Sequence, residues 1–246
     1  RPPRSTLLPY TTLFRSSVFG IAGLPLGKHN LKDPRLDEAD KLVEAQKKVY
    51  AQVDVAGEED ALEADVILTS RERFPDLLLN DLEIVETRLE RTPPPVEKAA
   101  LEKFKASLEQ ETCLSKVVLT PEEQEAIAVH RFHTTRPVVI ATEEELQNLE
   151  ALKLRAFKEA GYICFLTVGG KENRAWAIRQ GTTAWAAAGS IHSDMEKGFI
   201  RAEIISYDDF IQAGGETGAK RAGKQRLETK SYVMQDCDLT NFRFNK

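Results

Sequence analysis

The sequence has few cysteines and no long apolar run. Its three cysteines are an odd number and lack the close spacing of a zinc site, so neither a disulfide framework nor a metal centre is indicated. We expect reduced thiols at Cys113, Cys164 and Cys237, as in a cytoplasmic protein. No apolar stretch approaches the roughly 20 residues that a membrane helix needs, so we expect no membrane partner.

The chain also lacks the charge balance of a basic nucleic-acid binder. Its 246 residues carry a net charge of −5, and 30% of them are charged. The charge is uneven, because residues 171–246 hold 12 Lys or Arg against 10 Asp or Glu, whereas residues 1–170 hold 22 against 29. A chain of this length has room for one large domain or two small ones with a buried core.

Residues 161–246 alternate β-rich runs with short capped helices. Residues 165–168 and 174–179 predict two strands that end at glycines. Thr182 or Thr183 predicts the start of a helix through Trp185. The pattern predicts a small α+β sheet with helix on one face.

The second half of this region adds strands and one more cap. Residues 199–205 alternate, which predicts a half-buried strand with Ile200, Ala202 and Ile204 on its inner face and Arg201 and Glu203 outside. Ser206 with Asp209 predicts a capping box. Residues 231–234 and 239–244 are predicted to flank a tight turn at residues 236–238.

The segments GTTAWAAAGSIHSDMEKGFIRAEIISYDDFIQAGG and AGKQRLETKSYVMQDCDLTNFRFN closely resemble the C-terminal TGS domain of the YchF / Obg-like ATPase family. The resemblance implies a β-grasp (ubiquitin-like) fold for residues 161–246. One residue departs from the pattern. The family's turn reads Asp-Gly-Asp, whereas Cys237 stands in the middle here. If the backbone there has positive φ, a cysteine is strained by about 1 kcal/mol.

The first 16 residues differ in composition from the rest. RPPRSTLLPYTTLFRS has no acidic residue and no periodicity, and it resembles a translated sequencing adapter. A cationic targeting peptide is the alternative, although an apolar core of the secretory type is absent. We therefore leave residues 1–16 out of the fold prediction and expect residues up to 35 to pack poorly.

Residues 17–75 match the family's nucleotide-binding domain only in part. A phosphate loop needs Gly, four residues, then Gly-Lys-Ser/Thr, whereas three residues separate Gly23 from Gly27, and Lys28 is followed by His29. The resemblance implies that Asp54 and Gly57 are the DxxG motif, whose Asp reaches magnesium and whose Gly amide meets the γ-phosphate. The tetrapeptide is also common in ordinary loops. We expect a degenerate site that lacks residues between the loop and the PRLD segment.

Residues 76–132 have the apolar spacing of a helical hairpin, interrupted by three prolines at 93–95. Thr120, Pro121 and Glu123 predict a capped helix start.

Residues 133–160 predict a strand at 137–141 and a helix capped by Thr142 and Glu145. The family has an Asn-x-x-Glu motif after this strand, which the resemblance assigns to base recognition. Here Ala141 is followed by Thr142, so that asparagine is absent and a second internal deletion is expected.

Several further residues invite a functional interpretation. His192 has no ligand cluster around it, and His130 with His133 is an incidental pair rather than a zinc site. Trp176 is expected in the core, whereas Trp185, in a helix of alanines, leaves core packing and RNA stacking as two alternatives. The best basic face comprises Lys220, Arg221, Lys224 and Arg226, with Lys230 close by and Glu216 and Glu228 opposing its charge. Phosphate contact and a plain solvated surface are the two interpretations of this face.

The sequence therefore predicts an α+β protein: a degenerate, partial nucleotide-binding α/β domain with a helical hairpin, followed by a TGS domain. By resemblance it is a YchF-like ATP- or GTP-binding protein of the ribosome-associated family, without intact nucleotide hydrolysis. The alternatives are a non-catalytic module that binds ribosome or RNA through its TGS domain, and a fragment without function. No cofactor is expected here, whereas magnesium and ATP or GTP serve the intact family.

Overall fold

The computed structural model describes residues 14–245, and the adapter-like residues 1–13 lie outside that range. By its internal contacts the chain divides into two compact units. The parallel-sheet unit contains residues 15–28 and 54–160, and the C-terminal unit contains Phe14 and residues 29–53 and 161–245. Both combine strands and helices, so the predicted α+β class is confirmed. The domain boundaries drawn from the sequence remain predictions.

A five-stranded sheet has the order β2-β4-β1-β5-β6. Strand β1 pairs with β5, and β5 with β6, both in parallel register. Because parallel strands need crossovers, the connections carry helices. The strands are β1 (Phe14–Phe19), β2 (Gly27–Leu31), β4 (Ala51–Ala56), β5 (Val66–Thr69) and β6 (Val138–Ile140).

The start of β1 contradicts the expectation that residues up to 35 pack poorly. Phe14 is fully buried and meets the Tyr162 ring edge-on at 5.1 Å, and Ser16 is also buried. The composition of residues 1–16 did not predict this strand, because the residues that bury it, such as Tyr162, are distant in sequence. Residues 14–16 are therefore part of the sheet, whatever the origin of the residues before them.

The predicted helical hairpin is present in the parallel-sheet unit. Helix α2 (Phe74–Glu90) and helix α3 (Pro95–Glu109) pack on each other, and the prolines end one helix and start the next. Their shared core includes Val85, Leu101 and Phe104. The other helices of the unit are α4 (Pro121–Ile127), α5 (Glu143–Gln147), α6 (Leu149–Glu159) and the short 3-10 turns Glu58–Glu63 and Leu114–Lys116. The capping boxes predicted at Thr120 and Thr142 are confirmed.

A buried carboxylate fastens the segment after α4 to α2. Asp81 is fully buried and accepts hydrogen bonds from the backbone N–H groups of His133 and Thr134 at 2.7 and 2.8 Å. The Thr134 hydroxyl donates a third at 2.7 Å. These bonds satisfy donors that would otherwise be orphaned in the interior.

A second buried carboxylate lies at the start of α3. Glu97 accepts from Arg88 Nε at 2.5 Å and Nη2 at 2.9 Å, and His130 Nε2 lies 2.8 Å from its Oε1. The Arg88 hydrogen bonds hold the pKa of Glu97 at about 2, below its ordinary 4.5. The two histidines of the 130–133 pair thus contact different carboxylates, Glu97 and Asp81. Among the described residues no group of three or more His, Cys, Asp or Glu could hold a metal ion.

The lowered pKa of Glu97 predicts an acid-sensitive contribution to stability. Because the folded state binds this proton less readily than the unfolded state, the contribution is complete above about pH 4.5 and is lost as the pH falls towards 2. We expect Glu97→Gln to flatten that part of the pH dependence of the urea midpoint. Glu102→Gln, on the exposed side of α3, is the matched control and should leave the profile unchanged. An unchanged profile in Glu97→Gln would contradict this assignment.

The C-terminal unit is built on a six-stranded mixed sheet of order β10-β9-β11-β7-β8-β3. Neighbouring strands pair antiparallel except β7 with β11 and β3 with β8, which are parallel. The strands are β3 (Lys47–Val49), β7 (Tyr162–Thr167), β8 (Glu172–Arg179), β9 (Phe199–Ile205), β10 (Arg226–Glu228) and β11 (Leu239–Phe244).

Helices cover the sheet of this unit. Helix α7 (Ala184–Ile191) packs its alanines against Phe165, Ala202 and Phe242. Thr183 caps α7 as predicted, and Ser206 caps α9 by accepting from the Asp209 N–H. The predicted capping box is incomplete, because the Asp209 carboxylate accepts from the Ser206 hydroxyl at 2.7 Å. The remaining helices are α1 (Pro34–Leu42), α8 (Ser193–Lys197), α9 (Tyr207–Gln212) and α10 (Glu216–Arg221). In neither unit is any described helix long and apolar enough to cross a bilayer.

Two details of the predicted strands are wrong. Ile200 is 43% exposed, whereas Glu203 is buried and bonded to Asn241 at 2.8 Å and to Arg243. A satisfied carboxylate can be buried, so simple alternation misassigns this strand. Residues 231–234 form no strand, although Val233 makes one bridge to Thr183.

Helix α1 joins the C-terminal unit through charged contacts. Asp33 caps the helix, and Arg35 donates to Asp236 at 2.8 Å. Asn173 donates to Asp40 at 2.7 Å. These bonds explain why residues 29–53 group with residues 161–245.

Cys237 has the positive φ that the departure from Asp-Gly-Asp implied. Its φ is 62°, and its side chain is buried. The N–H of Cys237 donates to the carbonyl of Cys164 at 2.6 Å, which fixes the turn beside β7. The sequence therefore places a side chain where glycine would be unstrained.

We expect Cys237→Gly to be more stable than Cys237→Ala by about 1 kcal/mol, because both lose the sulfur but only glycine relieves the left-handed backbone. Urea unfolding of the two variants measures the difference. At positions of ordinary φ the order is the reverse. If alanine proved equal or better, the turn would not be strained.

Candidate functional site

The first candidate site lies where the parallel strands β1, β5 and β6 end. Ligands of open parallel sheets bind at the carboxyl ends of the strands, where loops and helix N-termini supply polar groups. The loop of residues 20–26 follows β1, and Thr142 follows β6. Of the other residues predicted for nucleotide contact, Lys28 lies in β2, Asp54 lies in β4 and Gly57 follows β4.

The loop after β1 does not have the form of a phosphate loop. It leads into strand β2, whereas a phosphate loop leads directly into the N-terminus of a helix. Gly23 and Gly27 adopt positive φ values of 85° and 105°. Lys28 is exposed within β2, and among the described residues no hydrogen bond or ion pair joins it to Asp54 or Gly57. The predicted lysine and DxxG residues therefore do not converge.

A protein carboxylate occupies the first amide of this loop. The N–H of Gly20 donates to Glu58 Oε1 at 2.9 Å. Arg73 covers the same spot, because a Cβ on Gly20 would lie 2.3 Å from its Cγ, and its guanidinium lies 4.9 Å from the Phe19 ring centroid. The amide that starts the loop is thus already bonded to an anion of the chain itself.

Gly57 is surrounded in a similar way. Its carbonyl accepts from the Ser17 hydroxyl at 2.8 Å. A Cβ placed on Gly57 would lie 2.5 Å from Glu59 Oε2, so that carboxylate fills the space beside the glycine. Three consecutive acidic residues, 58–60, follow Gly57. Their charge repels a phosphate at this position.

Asp54 is held by arginine. Arg15 Nε donates to Asp54 Oδ2 at 3.1 Å, and Arg15 Nη2 lies 3.7 Å from Asp60 Oδ2. Magnesium in nucleotide sites is bound by carboxylate, hydroxyl and phosphate oxygens. Here the carboxylate already pairs with a cation, and His29 supplies no hydroxyl. The residues present therefore do not fit a magnesium–nucleotide complex.

The end of β6 lacks a group that could read a base. A cleft there is lined by Ser70, Arg71 and Glu72 and by the start of α5. Thr142 and Glu145 bond to each other's backbone in the capping box, and Glu143 and Glu144 stand beside them. The side chains of Thr142 and Glu145 are therefore engaged in capping α5, and the acidic residues outnumber the basic ones in the cleft.

Sequence reasoning missed the residues that fill this site. Arg15 lay in the segment excluded as adapter-like, and its bond to Asp54 spans 39 positions. The acidic run after Gly57 was visible in the sequence, but its bond to Gly20 depends on the pairing within the sheet. The sequence alone therefore indicated the negative charge after Gly57 but not the contacts that this charge makes.

The second candidate site is the basic face of the C-terminal unit. Lys220 pairs with Glu216 at 2.5 Å, and Lys224 pairs with Asp209 at 3.0 Å. A hydrogen bond from Ser206, and then Lys224, lower the pKa of Asp209. The face is therefore mixed in charge rather than uniformly basic.

Two further residues complete this face. Arg226 Nη2 lies 3.2 Å from the Tyr232 hydroxyl, and Arg226 is 3.8 Å from Glu228. Arg221 is exposed at the end of α10. Such exposed ion pairs contribute about 0–1 kcal/mol, so a polyanion can replace the carboxylates at little cost.

Comparisons with known proteins include one family model, which matches the C-terminal region. The family described as "YchF-GTPase_C: Protein of unknown function (DUF933)" matches residues 162–245. The "Ribosome-binding ATPase YchF" of Haemophilus ducreyi is 43% identical over 158 residues, which cover 56% of this chain and 42% of that protein. The protein of the same name in Bacillus subtilis is 48% identical over 98 residues, which cover 40% of this chain and 27% of its own.

A solved structure matches over a longer stretch. The "Structure of the Schizosaccharomyces pombe YchF GTPase" has a TM-score of 0.72, covers 94% of this chain and 97% of its own, and is 20% identical. At that identity the likeness shows the fold alone. The aligned part of this chain spans 42% or less of the two curated relatives cited above. Together the matches confirm the resemblance to the YchF / Obg-like ATPase family.

Proposed function

We propose, from the resemblance to the YchF / Obg-like family, that the chain binds ribosomes through ribosomal RNA without hydrolysing ATP or GTP. Its residues 161–246 act as a TGS domain whose basic face contacts phosphates. The two curated relatives cited above are named as ribosome-binding ATPases, and the family model matches residues 162–245 of this chain. Binding to ribosomes places its action in the cytoplasm.

The observation that carries the proposal is the bond from Gly20 N–H to the Glu58 carboxylate. It fixes a carboxylate at the start of the loop, three residues before Gly23, where its negative charge opposes a nucleotide phosphate. The Arg15–Asp54 pair does the same for the magnesium carboxylate. With the nucleotide site filled by the chain's own charges, the C-terminal unit is the part left to function.

The basic face supports contact with phosphates rather than with bases. Its cations lie on α10, on β10 and on the turn between them, and each is exposed. Lysine binds phosphate as a point charge and needs no fixed geometry. We therefore expect binding that is driven by charge and shows little dependence on RNA sequence.

A charge-reversal experiment tests this proposal. Ribosome binding by the wild type should fall linearly on a logarithmic plot against salt concentration. Lys220→Glu combined with Lys224→Glu should weaken binding and reduce the salt slope by about two, one for each lost phosphate contact.

Lys98→Glu with Lys105→Glu on α3 gives the matched control, because it makes the same change in charge on the other unit. The control should bind as the wild type does, and thermal unfolding should show that both double variants are folded. Binding that ignores salt, or no binding to ribosomes at all, would refute the proposal.

A further inference from the structure

The two tryptophans of the C-terminal unit have opposite environments. Trp176 donates from Nε1 to the Thr167 hydroxyl at 3.0 Å, and its ring stacks on Phe165 and lies 4.1 Å from Arg174. Trp185 is 42% exposed, and within the part of the chain that the structure describes its indole makes no hydrogen bond or ring contact. A large aromatic ring thus stands open on the first turn of α7.

The backbone fixes a lysine beside this ring. The N–H of Trp185 donates to the carbonyl of Lys230 at 3.2 Å, and the N–H of Ala184 donates to the carbonyl of Tyr232 at 2.7 Å. Residues 182–185 and 230–234 therefore run antiparallel to each other. The exposed Lys230 side chain starts from the position next to Trp185.

The same segment connects Trp185 to the basic face. Arg226 lies 5.5 Å from the centroid of the Tyr232 ring, and the Tyr232 hydroxyl donates to the buried Asp238 at 2.9 Å. The Tyr232 side chain is therefore fixed by its bond to Asp238, and its ring contacts Arg226. Residues 226–232 therefore carry two cations, Arg226 and Lys230, and this segment bonds to the backbone of Trp185 through Lys230.

We propose that Trp185 is a stacking platform for an unpaired base of RNA, with Lys230 and Arg226 contacting the adjacent phosphates; this inference rests on the proposed function. An exposed aromatic side chain among cations is the arrangement that binds single-stranded nucleic acid, because every unpaired base has a free face. A base inside a duplex already stacks on its neighbours and cannot reach the indole. The site therefore selects loops and single strands over helices, a preference that charge alone does not give.

The test uses the full chain and an unstructured RNA of about 12 nucleotides, with a duplex RNA of equal length as the second probe. Trp185→Ala should lower affinity for the single strand by roughly 5- to 100-fold and leave duplex binding unchanged. Ile200→Ala, at a residue that is 43% exposed, is the matched control and should bind both RNAs as the wild type does.

Fluorescence supplies an independent readout, because the chain has two tryptophans. In a Trp176→Phe variant the emission comes from Trp185 alone, and the single strand should quench it. The duplex should not. Trp185→Phe should retain the Trp176 emission without quenching.

The outcomes separate this inference from the proposed function. Wild-type binding with no quenching, and with Trp185→Ala equal to the control, would overturn the stacking platform and leave the phosphate contacts standing. An equal loss of single-strand and duplex binding in Trp185→Ala would overturn it as well. Failure of the wild type to bind either RNA or ribosomes would overturn both.

Discussion

Purified protein mixed with magnesium and ATP or GTP is expected to release no phosphate above background and to show no micromolar nucleotide binding. Phosphoryl transfer depends on positioning and on charge stabilisation by loop amides, a lysine and magnesium. In this chain the loop leads into strand β2 with Lys28 exposed in it, the Asp54 carboxylate pairs with Arg15, and the Glu58 carboxylate bonded to Gly20 N–H adds negative charge at the start of the loop. Each lost contact of this kind costs about 10²–10³ in rate. Two of them together place turnover roughly 10⁴-fold or more below an intact site.

The variants sharpen this expectation. Lys28→Ala should change neither nucleotide binding nor phosphate release. Lys28 lies exposed in β2, and among the described residues its side chain makes no hydrogen bond or ion pair. Glu58→Ala frees the Gly20 amide, yet His29 still offers no hydroxyl to magnesium, so turnover should remain absent. Isothermal titration with a non-hydrolysable analogue, followed by a phosphate-release assay, measures both. Turnover that Lys28→Ala abolishes would show that the loop rearranges to hold nucleotide.

Loss of the Asp81 carboxylate is expected to destabilise the parallel-sheet unit by about 3–5 kcal/mol. Asp81→Ala leaves the backbone N–H groups of His133 and Thr134 buried without acceptors, and each orphaned donor costs about 1–3 kcal/mol. The Thr134 hydroxyl loses its partner too. Against a total stability of about 5–15 kcal/mol, this is a large fraction.

Two further variants test the cause of that loss. Asp81→Asn keeps the volume but replaces one acceptor oxygen by a donor, so its cost should fall between wild type and alanine. Glu83→Ala, two residues along α2 and exposed, should change stability by less than about 0.5 kcal/mol. Urea unfolding followed by circular dichroism at neutral pH gives the order. A small effect of Asp81→Ala would mean that residues 133–134 are not fastened by this carboxylate.

Local signals in the sequence predicted much of the fold. The caps at Thr120, Thr142, Thr183 and Ser206 hold because each depends on residues only three positions apart. The positive φ of Cys237 followed from one substitution in a glycine turn. These features need no knowledge of the tertiary structure.

Long-range contacts were beyond such reasoning. The burial of Phe14, the buried Glu203 and the Glu58–Gly20 bond each depend on which strands become neighbours. The loop after β1 is followed by a strand, although the family resemblance led us to compare it with a strand–loop–helix motif. The candidate site was therefore predicted to be degenerate from its spacing, but the groups that fill it were not predicted.

Co-sedimentation with ribosomes, with and without saturating ATP and magnesium, tests the central claim most directly. The claim is that this chain binds ribosomes through its basic face and that this binding does not depend on a nucleotide. We predict binding that is equal in the two conditions, falls steeply with salt and is weakened by Lys220→Glu with Lys224→Glu. Binding that appears only with ATP, or that changes several-fold when ATP is added, would contradict the account.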